Sequence, residues 1–105
     1  MIIFRYMEKD RIMQLFNNYL NNSGRKFYSD FFIGVTDDVN KRLFEEHMVP
    51  KSNSWYIYAP ANTHENAMAV KKHYHNLGMR TSNRRTSRLS KMVYCYGVSP
   101  FTVEK

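Results

Sequence analysis

The sequence is poor in the residues that build disulfide-bonded, glycine-rich and membrane-spanning structures. Its one cysteine, Cys95, allows no disulfide within the chain, and a four-ligand structural zinc site is not expected. It has four glycines and no glycine-rich phosphate loop. No run approaches the roughly 18 apolar residues of a membrane span. The start, MIIFRYMEKDR, carries charges where a secretion signal has its apolar core. We therefore expect a cytoplasmic protein that does not enter a membrane.

Carboxylates are missing from a long part of the chain. Residues 1–50 hold seven basic and seven acidic side chains, whereas residues 51–105 hold nine basic and two acidic, so the second half carries the whole net charge of +7. No Asp or Glu occurs between Asn66 and Val103. The Lys and Arg residues of that stretch are Lys71, Lys72, Arg80, Arg84, Arg85, Arg88 and Lys91. Such an excess attracts polyanions, so we expect contact with nucleic acid, either DNA or RNA. A basic surface without a partner is the alternative.

The length and the composition predict a single globular domain over residues 1–105. The chain is 43% apolar and 15% aromatic, which is enough for one hydrophobic core in 105 residues. Apolar spacing and turn residues predict the elements. These are a helix over Glu8–Asn22, a strand over Phe27–Val35, a helix over Asp38–Met48, a strand over Ser54–Ala59, a helix from the cap Asn62-x-x-Glu65 to Leu77, a basic mobile loop over 79–91 and a strand over Lys91–Val98. We expect an α/β (α+β) fold with a small three- to four-stranded sheet and three helices packed on it.

The stretch Phe31–Met48, FFIGVTDDVNKRLFEEHM, organises this prediction. Phe-Ile-Gly-x-Thr-x-Asp followed by Lys-Arg-Leu and a histidine resembles the centre of the GIY-YIG nuclease domain, over about a sixth of the chain. That family implies a phosphodiesterase with two strand tyrosines, a helix arginine and a metal-binding glutamate. Arg42 matches the arginine, eight residues after Gly34, where a guanidinium would bind a phosphate bidentately. The alternative is a surface arginine beside an apolar stripe.

Several positions depart from the family pattern. Phe32 stands where the second motif has tyrosine, and Tyr28 is a substitute candidate for a catalytic hydroxyl. His47 comes one residue later than the histidine of the family and is either catalytic or a packed core residue. Glu65 is the only carboxylate in the third helix, so it is the candidate ligand for Mg²⁺ or Mn²⁺, although helix capping also explains it. Lys71 falls near the place where the metal-binding glutamate would be sought.

The tyrosines of the last two predicted strands offer a separate feature. Tyr56 and Tyr58 share one strand face, and Tyr94 and Tyr96 share another. On neighbouring strands these rings would form a platform for unstacked bases. The alternative, which we favour, is cross-strand aromatic packing beneath a helix.

Together these patterns predict a nucleic-acid-binding module on a degenerate GIY-YIG-like fold, with Arg42 and the basic 71–91 stretch on the phosphate backbone. One alternative is a divergent metal-dependent endonuclease that uses Arg42, one tyrosine and Glu65 with Mg²⁺ or Mn²⁺. The other is a protein-interaction or inhibitor domain that keeps only the scaffold. The sequence does not distinguish DNA from RNA.

Overall fold

The computed structural model describes residues 6–82 and 86–104 and confirms the predicted fold class. It is an α+β domain with three helices and a three-stranded antiparallel sheet. In chain order the elements are α1 (Lys9–Asn21), a short 3-10 turn (Tyr28–Asp30), β1 (Phe31–Thr36), a π-helix (Lys41–Glu46), β2 (Tyr56–Pro60), α2 (His64–Asn76) and β3 (Met92–Gly97). Residues 1–5, 83–85 and 105 lie outside the described residues. Met7 forms an isolated parallel bridge with Ala61.

The sheet has the order β1-β3-β2, so the last strand lies in the centre. β3 pairs antiparallel with both neighbours, and Tyr94 is opposite Gly34 on one side and Tyr58 on the other. Pro60 lies at the end of the edge strand β2, where a missing backbone N–H is tolerated.

Both faces of the sheet are covered, which explains why β1 is buried at every position. One face carries Ile33 and Cys95 and packs against α1 and α2. The opposite face carries Phe32, Tyr94 and Tyr96, which pack with Leu43 of the π-helix. The stacked rings of Phe32 and Tyr96 lie 5.2 Å apart between their centroids.

The segment predicted as an α-helix over Asp38–Met48 is mostly a π-helix. In a π-helix each N–H donates to the carbonyl five residues earlier, and here the His47 N–H donates to the Arg42 carbonyl at 2.9 Å. Met48 then adopts a left-handed conformation (φ 58°), which ends the helix. A π-helical turn accommodates one more residue than an α-helical turn. Arg42 and His47, although five residues apart, are therefore one turn apart.

Local capping also differs from the sequence prediction in detail. The residue that caps α2 is Thr63, whose hydroxyl accepts from the Asn66 N–H at 3.0 Å, rather than Asn62. The predicted strand over Phe27–Val35 begins later, at Phe31, because residues 28–30 form the 3-10 turn. In the predicted loop 79–91, Arg80 bridges to Phe32 beside β1.

Candidate functional site: a pocket with two neighbouring cations

A pocket of about 150 Å³ opens where β1 meets the π-helix. The end of β1 with its following turn forms one side, α2 contributes Lys71, and Ser82, Thr86, Ser87 and Ser90 of the following segment form the rest. The charged residues that line it are Asp37, Asp38, Lys41, Arg42, Glu46 and Lys71. The pocket therefore lies between the helix that carries Arg42 and the acid-free stretch, the part of the chain between Asn66 and Val103 that has no Asp or Glu.

Arg42 is held in place by the groups around it. Its side chain is buried, with the residue only 6% exposed. Nε donates to the Tyr94 hydroxyl at 3.1 Å, and one terminal nitrogen donates to Glu46 Oε1 at 2.8 Å. The Glu46 pair is charge-assisted and partly buried, so it orients the guanidinium more firmly than an exposed pair would. The guanidinium is thus preorganised at the pocket wall.

Behind the pocket, His47 fixes the proton of the Tyr94 hydroxyl. His47 is fully buried, and its Nδ1 lies 2.7 Å from the Val103 carbonyl oxygen. Since a carbonyl only accepts, Nδ1 carries a hydrogen, and in the neutral ring Nε2 accepts. The Tyr94 hydroxyl, 2.8 Å from Nε2, therefore donates to His47 and accepts from Arg42. This chain of hydrogen bonds links the C-terminal segment to the pocket.

Gly34 leaves room for the Tyr94 ring to reach this place. A Cβ atom at Gly34 would overlap Cζ and Oη of Tyr94 and lie 2.7 Å from its Cε1. Any side chain on this position of β1 would push the hydroxyl away from Arg42. The glycine inside the strand therefore marks the close approach of a side chain from β3, which is one of the uses of glycine in sheets.

Lys71 projects from α2 into the same pocket as Arg42. Its Nζ donates to the Ser82 carbonyl at 3.3 Å, and the side chain is half-buried. The pKa of Lys71 is lowered from its usual value of 10.5, first by burial and then by the positive charge of Arg42. Two like charges therefore act on each other across the pocket.

Two of the other candidate residues lie outside this pocket. Tyr28 is in the 3-10 turn beside Gly78 and does not line this pocket. Glu65 is exposed in the first turn of α2, also away from the pocket. The hydroxyl beside Arg42 is that of Tyr94, which we did not single out as a catalytic candidate. The available signal was Gly34, since a strand glycine predicts a close neighbour without naming it.

Within residues 6–82 and 86–104, the predicted basic residues lie in different surroundings. Lys72 and Arg88 are exposed. Arg80 bonds to the Ser29 carbonyl and to Glu104, and the Lys91 ammonium lies 5.5 Å from the centre of the Tyr6 ring. Arg84 and Arg85 lie outside the described residues. Of the basic candidates in the acid-free stretch that the structure describes, Lys71 lines the pocket.

The tyrosines follow the packing alternative. β2 and β3 are neighbours, as a base-stacking platform would need, but Tyr94 and Tyr96 are 1% and 0% exposed. The Tyr56 ring meets Phe44 of the π-helix edge-on. Tyr58 alone of these four rings is substantially exposed, so the set cannot receive stacked bases.

The residues of the pocket do not suit a divalent metal ion. Mg²⁺ and Mn²⁺ prefer converging oxygen ligands. Within residues 6–82 and 86–104, no three His, Cys, Asp or Glu side chains are close enough together to hold a metal ion. Glu46 is engaged with Arg42, and Asp38 Oδ1 accepts from the Lys41 N–H at the start of the helix. A lysine also stands at the α2 position that faces Arg42.

No protein family, curated protein or solved structure matches this chain. In the part of the chain that the structure describes, none of the helices has the length and apolar character needed to cross a bilayer.

Proposed function

We propose that this domain binds nucleic acid and that a backbone phosphate occupies the pocket between Arg42 and Lys71. The observation that carries the proposal is that these two cations, from the π-helix and from α2, line the same pocket. Burial and, after it, the positive charge of Arg42 lower the pKa of Lys71, and a phosphate between the two cations would add two attractions. Arg42 supplies directional N–H groups, and Lys71 supplies a compact charge.

A polyanion suits the surroundings of the pocket better than a small phosphate compound. Arg88, which is exposed, lies in the segment that also supplies pocket residues. Exposed cations beside a phosphate pocket contact the neighbouring phosphates of a chain, which positions the backbone without reading its sequence.

We also propose that the protein acts in the cytoplasm, since its charge suits nucleic acid and its one thiol is buried.

The test is the salt dependence of binding to short single-stranded DNA, duplex DNA and RNA, measured by fluorescence anisotropy. We expect the logarithm of the affinity to fall steeply and linearly with the logarithm of the salt concentration. Lys71→Ala should weaken binding roughly tenfold, the effect of about 1.4 kcal/mol. Lys72→Ala is the matched control, because it removes the same charge from the next position of the same helix. An absence of binding at about 50 mM salt, or binding that ignores salt, would contradict the proposal.

Phosphodiester cleavage is the second candidate function, and the position of the Tyr94 hydroxyl favours it. That hydroxyl lies on the pocket wall, with a guanidinium on one side and a histidine ready to take its proton on the other. This arrangement also supports the proposed likeness to GIY-YIG nucleases, with Tyr94 in place of Tyr28 as the catalytic tyrosine. The test is incubation of labelled DNA and RNA with the protein, with and without Mg²⁺ or Mn²⁺. Cleavage that survives Tyr94→Phe and Arg42→Lys would come from a contaminant.

A further inference from the structure

We propose that Lys71 supplies in this pocket the positive charge that a divalent cation would supply, so that phosphate binding here is independent of divalent metal. This inference rests on the proposed function, because it concerns how the same site holds the same phosphate. It assigns to Lys71 a role opposite to the metal ligand expected near its position from the family resemblance.

The first argument is the chemistry of the pocket wall. A metal-binding wall presents oxygen ligands, whereas α2 presents the Lys71 ammonium to the pocket that Arg42 also lines. Both side chains line the same pocket, and burial together with the nearby charge of Arg42 lowers the pKa of Lys71. A divalent cation placed there would be repelled by both, while a phosphate would be attracted by both.

The second argument is that the fold fixes Lys71 at this place. Val70 and Tyr74 of α2 are fully buried, and the Tyr74 hydroxyl lies 3.0 Å from the Met13 carbonyl oxygen and 2.7 Å from Asn17 Oδ1 of α1. These contacts set the rotation of α2 about its axis. Lys71, next to Val70, is therefore directed towards the pocket by the packing of the helix, and Lys72 is directed to solvent.

The third argument concerns the acidic residues of the pocket. Three carboxylates line the pocket: Glu46 is a partner of Arg42, Asp38 caps the helix, and Asp37 is exposed. A metal ion would compete with the guanidinium and with the helix start for the oxygens of Glu46 and Asp38. These two carboxylates therefore stabilise Arg42 and the helix that carries it.

The experiment measures the affinity of the whole protein for a short fluorescent DNA strand in a chelator and then in Mg²⁺. We expect the wild-type protein to bind equally well in the chelator and to gain nothing from Mg²⁺, which competes for phosphates. Lys71→Gln should lose roughly tenfold in the chelator, Lys71→Arg should retain most of the affinity, and Lys72→Gln should lose clearly less than Lys71→Gln.

The outcomes separate this inference from the proposed function. Wild-type binding that appears only with Mg²⁺, or equal losses for Lys71→Gln and Lys72→Gln, would overturn the role of Lys71 while nucleic-acid binding stands. An absence of binding in both solutions would overturn the proposed function itself. If Lys71→Gln failed to fold, the comparison of chelator and Mg²⁺ on the wild-type protein would still decide the question.

Discussion

The buried hydrogen bonds of the site converge on the hydroxyl of Tyr94. It accepts from Arg42 Nε and donates to His47 Nε2. The Tyr94 ring packs directly against Gly34, so no side chain fits at that position of β1. A buried polar group that loses its partner costs more than an average hydrogen bond contributes. The stability of this side of the sheet is therefore tied to the same oxygen atom that faces the pocket.

Removing this hydroxyl should destabilise the protein without changing its shape. We expect Tyr94→Phe to lower the free energy of unfolding by about 1–3 kcal/mol, because Arg42 and His47 both lose a buried partner. Tyr58→Phe, a hydroxyl removed from a partly exposed ring on the neighbouring strand, should change it by less than about 0.5 kcal/mol. Urea denaturation of both variants measures the difference. Equal effects would show that the buried hydroxyl contributes no special stability.

The space at Gly34 makes a second prediction for the same pair. Gly34→Ala should cost about 1–3 kcal/mol, because the new methyl group overlaps the Tyr94 ring. In a Tyr94→Ala background the same substitution should cost much less, since the ring is gone. The coupling from this double-mutant cycle, measured by urea denaturation, should be of the order of 1 kcal/mol or more. Additive effects would mean that the strand, rather than the ring, requires the glycine.

The lowered pKa of Lys71 predicts how phosphate binding depends on pH. Below that pKa the Lys71 ammonium is charged and the affinity for phosphate has its full value. As the pH rises through that pKa, the charge and its share of the affinity are lost, at a lower pH than for a lysine with the usual pKa of 10.5. In the same window the unfolded chain binds more protons, so the free energy of unfolding of the unliganded protein should rise with pH. Lys71→Arg should keep its affinity over this range. Anisotropy titrations at increasing pH, with a ligand that has only phosphodiester groups, provide the measurement. Parallel pH profiles for the two proteins would contradict the prediction.

At the scale of the elements, the π-helix Lys41–Glu46 determines the geometry of the site. Its wide turn places the His47 N–H on the Arg42 carbonyl, so both side chains meet Tyr94 despite five residues of separation. π-helical turns are rare and frequently occur at functional sites. Here the wide turn holds together two partners of one hydroxyl.

Deleting the exposed residue Glu45 should convert this turn into an α-helical one. Arg42 and His47 would then be four residues apart, the α-helical spacing, so we expect the fold to persist with a stability change below about 1 kcal/mol. Deletion of exposed Gln14 from α1 is the control. It rotates Phe16 by about 100° relative to Ile12, off the core, and should cost more than about 3 kcal/mol. Thermal and urea unfolding of both deletions provide the comparison. Comparable losses would mean that the wide turn itself is required.

Most of the helices and strands could be predicted from the sequence, whereas the site could be predicted only in part. The apolar stripe of α1 and the caps and glycine around α2 are local signals, and their predicted bounds differ from the observed ones by one or two residues. The π-helix has the same local composition as an α-helix, so the sequence predicted a helix there without its wide turn. Tyr94 reaches Arg42 through the pairing of β1 with β3, more than 50 residues apart, which no local pattern encodes. The direction of the Lys71 side chain depends on the rotation of α2 about its axis, which is set by packing and could not be predicted from the local sequence.

At the scale of the whole molecule, one chemical group reports on the integrity of the core. Cys95 lies in the central strand, is fully buried, and has a pKa raised by that burial. Both effects suppress the thiolate that reacts with disulfide reagents. We therefore expect the thiol of the native protein to react at least about 10³-fold more slowly than a free cysteine, because modification requires the sheet to open. The rate in increasing urea, followed by absorbance, measures it. Reaction as fast as that of the denatured chain would show that the centre of the sheet opens readily.

The central position of β3 also constrains how the protein is made. While a ribosome is still synthesising the chain, β1 and β2 are both complete, but neither can pair with the other, because the strand that belongs between them arrives last. The nascent chain must therefore wait with two unpaired strand edges, which are prone to wrong association. We therefore expect the sheet and the pocket to form together in one late step, after Gly97 has left the exit tunnel.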